Sequence, residues 1–357
     1  MLASLRQQYW PLKGRDLARK VVHSCIKCFR VKPRTSQPQM GDLPTSRLEI
    51  THPFSNTGTD FCGPIFTRSS RRRNSPKIKS YIVLFVCMTT KAIHLELVSD
   101  LTTEAFIAAF KRFISRRGIC NNIYSDNGTN YVGASRELKE LRELFKTQEH
   151  QRRVIEETSI HKITWHFIPP KSPHFGGLWE AGVKSMKHHL KRVVGNVSLT
   201  HEATYTVLTL IEACLNSRPL TPISNHPNDP LPLTPGHFLT GRALTTLPEP
   251  SLLNVTMNRL SMWQQTQQMV QHFWARWSKE YLTFLQQRPK WTSETKNITP
   301  GQLVVIREDN LPPMKWVTGR VTEVHPGDDG RVRVATVKTT TGVYKRAVNR
   351  LCVLPLE

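Results

Sequence analysis

The stretch YIVLFVCM, Tyr81–Met88, is apolar at every position, and it narrows the possible folds more than any other feature of the chain. A strand with no polar alternation must be covered on both faces, so this one belongs in the middle of a layered sheet. The run after it, Ala92–Val98 (AIHLELV), sets Ile93, Leu95 and Leu97 against His94 and Glu96. That alternation suits an edge or half-covered strand. Upstream, NTGTDFCGPIF reads as an apolar strand carrying Asp60, and the basic loop TRSSRRRNSPKIK turns it back as a hairpin.

Helical signals follow. Thr102-Thr103-Glu104 opens a helix over Glu104–Arg117, with Phe106, Ile107, Phe110, Phe113 and Ile114 on one face and Gly118 as its stop. A short strand then ends at Asp126, and the spacing predicts a helix over Ser135–Phe145, a charged helical stretch, and a strand at Ile163–Ile168. Helices at Leu178–Val194 and about His201–Ser217 complete a mixed α/β layered pattern. The Pro-rich SRPLTPISNHPNDPLPLTPGHFL marks a boundary. Beyond it, a long helix around Asn258–Gln287 carries Trp263, Phe273, Trp274, Trp277, Tyr281 and Phe284. From Ile298 on, short β runs separated by Gly and Pro predict a small all-β barrel. The expected organisation is a helical N-terminal segment (1–35), a mixed core (48–235), the aromatic helix (255–290) and a β module (291–357), with 31–47 as an extended linker.

Charge sets the partner class. Fifty Lys and Arg against 27 Asp and Glu give +23, which points to a polyanion, most often nucleic acid. No run approaches the ~18 apolar residues of a spanning helix, so no membrane partner is expected. The N-terminus MLASLRQQYWPLKGRDLARK lacks the apolar core of a signal peptide. Cys62, Cys87, Cys120, Cys214 and Cys352 sit singly in apolar stretches, as buried reduced thiols do. Cys25 and Cys28, in CIKC, have the spacing of half a zinc site. A closed site needs four ligands, and no His pair precedes the two cysteines, so the segment reads as a truncated module and Zn2+ as uncertain.

Three carboxylates carry the chemistry. Asp60 lies mid-strand, Asp126 ends the fourth strand before Asn127-Gly128, and Glu180 lies one turn into a helix that opens after two glycines. Each has an ordinary explanation: a salt-bridged strand residue, a turn or N-cap residue, a first-turn acid favoured by the helix dipole. A charge inside an apolar strand is costly unless paired or cation-bound. Oxygen donors without His or Cys suit Mg2+ (or Mn2+), and two such ions activate a hydroxyl and stabilise the leaving oxygen of an in-line displacement. Lys184 and Lys187 share a helix face with Glu180, and His188 and Lys191 extend that stripe, fitting a phosphate backbone that runs toward the carboxylates. Asn127-Gly128 gives the sharp exit that turns Asp126 toward a cation.

With these residues in view, the chain resembles a retroelement integrase, most closely that of the BEL/Pao class of LTR retrotransposons. YWPLKGRDLARKVVHSCIKC resembles the second half of that family's zinc-binding N-terminal domain. GTDFCGP, YSDNGTNY and SPHFGGLWEAGVKSMK resemble the three blocks of the DDE triad, and the segment from Lys290 to Arg333 resembles the C-terminal small barrel. The resemblance implies a ribonuclease H-like core and an SH3-like C-terminal barrel. It implies Asp60, Asp126 and Glu180 as catalytic ligands of two divalent metal ions, and Cys25 and Cys28 as zinc thiolates. Lys184, Lys187, His188, Lys191 and Asn127 would then meet DNA. The activity implied is trimming of the element's DNA ends and joining of the 3′-hydroxyl to target DNA, in the nucleus, by a homo-oligomer. Two departures stand: the paired zinc histidines have no counterpart, and the 54 residues from Asp126 to Glu180 exceed the usual integrase spacing. The charged segment RELKELRELFKTQEHQRRVIEETS accounts for the second as an inserted helix. The alternative is a catalytically silent, host-retained DNA-binding protein derived from an integrase. A ribonuclease H or cut-and-paste transposase of the same fold is less well matched by the two terminal segments.

Overall fold

The computed structural model describes residues 2–26, 44–70, 72, 74–125, 163–167, 187–190, 192–193, 199–224, 226, 229–286 and 297–355. The chain divides into two compact units, Met1–Pro44 and Thr45–Glu357. In the first, α1 (Leu2–Leu5) and α2 (Gly14–Ser24) form a small helical pair. Gly14 opens α2 where a Cβ would stand 2.7 Å from the Pro11 ring. α2 stops at Ser24, immediately before Cys25. Cys25 is half-buried, and Cys28 lies outside the described residues.

The second unit is built on a mixed six-stranded sheet. Its first strands are β1 (Asn56–Arg68), β2 (Lys77–Cys87) and β3 (Ile93–Val98). After α3 (Thr103–Arg117) come β4 (Asn122–Ser125), β5 (Thr164–Phe167) and β6 (Leu199–Thr200). The spatial order is β3-β2-β1-β4-β5, and β6 adds to the far end of β1. The first three strands are antiparallel and β4 and β5 run parallel to β1.

β2 is central, as its composition demands. Ile82, Leu84 and Val86 point into one apolar cluster, and Tyr81, Val83, Phe85 and Cys87 into the other. α3 covers the second face through Phe106, Ala109, Phe110 and Phe113, one helical stripe. Phe113 stacks on Phe85 with ring centroids 4.2 Å apart. Thr102 caps the start of α3 by accepting from the Ala105 amide, and the Gly118 amide closes its end on the Ile114 carbonyl. α4 (His201–Asn216) covers the first face with Val207, Leu208, Ile211 and Leu215.

β3 is an edge strand, in line with its alternation, yet it is buried along its whole length. His94 and Glu96, which the pattern would send toward solvent, are 2% and 0% exposed. α3 and α4 enclose them. Glu96 accepts from Arg112 Nε at 2.7 Å and Arg116 Nη1 at 2.9 Å, and Arg117 pairs with Glu212. The outward backbone groups of β3 are met by side chains in place of another strand. Asn216 accepts from the Ile93 amide and donates to its carbonyl, each at 2.8 Å, while Glu212 accepts from the Leu95 amide at 2.8 Å. Arg112 adds a bond to the Leu97 carbonyl at 3.3 Å.

Downstream, the short pair β7 (Thr221–Pro222) and β8 (Pro232–Leu233) and the helix α5 (Pro235–Thr240) lead to α6 (Met262–Leu285). Phe273, Trp274 and Trp277 of α6 bury in the cluster shared with α4. The tail forms β9 (Leu303–Ile306), β10 (Val317–Pro326), β11 (Val332–Thr339), β12 (Gly342–Ala347) and β13 (Leu351–Val353). They make one antiparallel sheet in the order β12-β11-β10-β9-β13, with register shifts in β10 between Val321 and Glu323 and between His325 and Pro326. Leu282 of α6 packs beneath it against Leu303, Val305, Cys352 and Leu354. Trp316 inserts among Trp274, Trp277 and Tyr281, donating from Nε1 to Ser217 Oγ at 3.1 Å. Arg320, 4% exposed, donates to the carbonyls of Ser224, Asp229 and Gly301. Burial pushes the Cys120, Cys214 and Cys352 thiols up to about 12, which fits inert core cysteines.

The β3 network sets a pH dependence. His94 offers Nε2 to Glu96 at 3.1 Å and Nδ1 to Glu212 at 3.3 Å, with Arg117 approaching Nδ1 at 3.4 Å. Burial alone would lower the His94 pKa, but the two carboxylates outweigh it and raise it. Burial alone would raise Glu96, but bonds from His94 and Arg112 outweigh it and hold it low. His94 therefore stabilises the fold fully below its ordinary 6.5 and less as pH rises through its raised value. Glu96 stabilises above its ordinary 4.5 and less as pH falls below it. Urea unfolding of the wild type should give lower stability at pH 9 than at pH 5.5, and His94→Gln should remove most of that difference. Glu96→Ala should lose about 3 kcal/mol, the lower end for a broken buried pair because its arginines are partly exposed.

Candidate active site

β1 turns apolar directly after Asp60, with Phe61 in one cluster and Cys62 packed on the other. Asp60 lies opposite Leu84 of β2, on the face covered by α4. Its side chain is 15% exposed. One oxygen, Oδ1, accepts from the Phe61 amide at 2.7 Å, and Oδ2 receives the Lys187 ammonium at 2.5 Å. A carboxylate in such a strand needs a cation nearby, and here the chain supplies one.

Lys187 reaches Asp60 because of its own helical turn. Residues 187–190 and 192–193 are helical, and Leu190, one turn on, is buried in the cluster with Ile82 and Leu84. The Lys187 side chain is 26% exposed, and His188 beside it is exposed. His189 points inward, pairing through Nε2 with Glu280 of α6 at 2.5 Å and meeting Phe273 edge-on. This turn is thus fastened to the sheet by Leu190 and to α6 by His189.

β4 arrives at the same level. Its parallel register with β1 runs from Asn56↔Asn122 to Thr59↔Ser125, so its last residue stands one step before Asp60. Side chains pin it there. Asn122 donates to Asn56 Oδ1 at 2.9 Å, Trp165 donates to Ser125 Oγ at 3.0 Å, and Tyr124 stacks on His166 at 4.7 Å.

Of the residues singled out from the sequence, the structure brings Asp60 and Lys187 together, and His188, next to Lys187 in the chain, is exposed. Asp126, Asn127, Glu180, Lys184 and Lys191 lie outside the described residues, as does Cys28. Among the described residues no group of three or more His, Cys, Asp and Glu side chains is placed to hold a metal ion. Asp60 supplies a hard oxygen donor of the kind a divalent cation takes, and its Oδ2 is paired with the Lys187 ammonium. Among the described residues no helix is long and apolar enough to cross a membrane. The sequence reading missed the His189–Glu280 pair. Its signal was an acid in an otherwise aromatic stretch of α6, facing a histidine doublet in the lysine-bearing helix.

A family model described as a family of unknown function, DUF5641, matches residues 261–354, which take in α6 and the terminal sheet. No curated protein matches the chain. Among solved structures, the simian T-cell lymphotropic virus intasome in complex with PP2A regulatory subunit B56 gamma aligns at 14% identity and TM-score 0.37, over 99% of this chain and 95% of that one. The HTLV-2 integrase catalytic core domain in complex with magnesium aligns in its trimeric form at 17% identity and TM-score 0.32, over 53% of this chain and 97% of that one. Its dimeric form aligns at 19% identity and TM-score 0.29, over 46% and 88%.

The packing that carries Lys187 is testable. Leu190→Ala should lower stability by about 3 kcal/mol, as for other buried Leu truncations, in chemical denaturation followed by circular dichroism. A loss under 1 kcal/mol would mean that this turn is not anchored through Leu190.

Proposed function

We propose that the chain is an integrase-type polynucleotidyl transferase, of the BEL/Pao retroelement class, that processes and joins DNA 3′ ends. The observation that carries this reading is the placing of Asp60: a carboxylate mid-strand, holding a cation, level with the end of the parallel strand β4. Adjacent strands lie about 4.8 Å apart, and Asp126 follows Ser125 directly in the chain. Glu180 precedes Lys187 by two helical turns in sequence, so the helix that delivers Lys187 to Asp60 is also the one expected to bring Glu180.

The roles follow from chemistry. Asp60, Asp126 and Glu180 would hold Mg2+ or Mn2+, which supplies activation of the attacking oxygen and charge stabilisation at the leaving one. Lys184, Lys187, His188 and Lys191 would grip the phosphates of the DNA end, and Asn127 would lie beside the junction. The antiparallel order β13-β9-β10-β11-β12 with a 3-10 turn before the last strand supports an SH3-like module for the tail, with DNA as partner. The +23 charge supports the same partner, and nuclear residence and a homo-oligomeric active form complete the reading. Cys25 and Cys28 would supply thiolates to Zn2+ in the N-terminal segment.

The experiment is strand transfer by purified protein with a blunt duplex end, in Mg2+ or Mn2+. Asp60→Asn, Asp126→Asn and Glu180→Gln should each cut joined product by about 10²-fold or more. Each should keep DNA binding that weakens steeply with salt. Such binding without any metal-dependent joining by the wild type would favour the silent DNA-binding alternative.

A further inference from the structure

The turn from β2 to β3 gathers positive charge that the surrounding fold does not neutralise. Lys91 lies in that turn, Arg218 lies two residues past α4, and Arg47 ends a 3-10 turn, Thr45–Arg47, ahead of β1. We propose that Arg47, Lys91 and Arg218, with the Thr89 hydroxyl, form a binding site for one phosphate group. The site stands apart from the Asp60 reading. Asn56, around which it is built, opens β1 four residues before Asp60, about 13 Å away along the strand.

Hydrogen bonds bring the group together. The Met88 amide donates to the Asn56 carbonyl at 2.9 Å, and Asn56 Nδ2 donates to the Ser46 carbonyl at 3.2 Å. Thr89 and Arg47, the next residues along, are thereby held close to Asn56. Arg218 donates from Nη1 to the Leu215 carbonyl at 2.6 Å and from Nη2 to the Lys91 carbonyl at 2.5 Å, which ties it to the turn. The charges feel one another: the Lys91 pKa is lowered, first by burial and then by Arg218 and Arg47.

An anion is the ligand this arrangement suits. Among the described residues no carboxylate pairs with any of the three cations, and carbonyl partners leave the Arg218 charge in place. Arg47 Nε and Thr89 Oγ1 are buried without a hydrogen-bond partner among the described residues, and such groups are costly unless something accepts from them. Lys91 holds a left-handed backbone, φ 58°, where glycine would fit without strain, so the side chain is kept at a conformational cost. Lys91 is exposed and Arg47 and Arg218 are half-buried, so a solute reaches them from water. The donors come from three separate segments of the chain. A planar carboxylate meets donors in one plane, whereas the tetrahedral oxygens of phosphate accept from several sides at once. Free phosphate and a nucleic-acid backbone phosphate share this chemistry.

The test uses the full chain at fixed ionic strength. Binding of inorganic phosphate is measured by calorimetry, and of a short DNA duplex by anisotropy without divalent metal. The proteins are wild type, Lys91→Gln, Lys91→Gly, Arg47→Gln and Arg242→Gln, with thermal unfolding checking each fold. Arg242 is exposed and outside the group, so its variant removes the same charge from elsewhere. Lys91→Gln and Arg47→Gln should each weaken phosphate binding about ten-fold, the lower end for a bond to a charged group because water reaches the site. Lys91→Gly, whose backbone suits the turn, should be at least as stable as wild type and lose phosphate affinity equally. Arg242→Gln should bind as wild type does. A matching loss of DNA affinity in the Lys91 and Arg47 variants would make the occupant a backbone phosphate, and unchanged DNA affinity would make it a small free anion. If neither ligand separates these variants from Arg242→Gln, or wild type binds neither, the phosphate site is refuted.

Discussion

A strand that is apolar on both faces cannot be left at a surface, and β2 imposes that condition on everything around it. Eight consecutive apolar residues, Tyr81–Met88, require a layer of helix on each side. α3 answers on one face with a phenylalanine stripe and α4 on the other with an aliphatic one. Each fully buried side chain of this kind contributes about 1.5–3 kcal/mol, so the two clusters dominate the stability of the second unit. The position of Asp60 is a by-product. β1 pairs along β2, and its alternation turns Asp60 toward the α4 side, where the Leu190 turn also packs.

Much of this was legible in the residues. β2, α3 with its Thr102 cap and Gly118 stop, α4, the long aromatic helix and the terminal β runs all follow from period, capping and turn chemistry. These signals are local, and local signals survive into the fold. The strand nature of the Asp60 segment was equally plain, and its cation need followed from the cost of a lone charge among apolar neighbours. That Lys187 would meet that need was not visible, because the two residues are 127 apart and only the packing of Leu190 decides the approach.

β3 shows where pattern reading stops. Alternation correctly marks an edge strand, and then implies a wet polar face that does not exist. His94 and Glu96 are enclosed because α3 and α4 carry arginines and carboxylates at matching heights. No period announces this, since Arg112, Arg116 and Arg117 look like an ordinary charged helix end. The aromatic helix is similar. Its spacing identifies an apolar face, whereas its role in joining the terminal sheet depends on Trp316 and Arg320, far along the chain.

The side-chain cover on β3 also limits how copies of this protein can associate. A bare sheet margin is a template for any extended segment, including one from a neighbouring molecule. Asn216, Glu212 and Arg112 fill the places that an incoming strand would need on that margin. Growth of the sheet by strand addition is blocked there without a proline or a bulge, and the block is as durable as the helices that bear it.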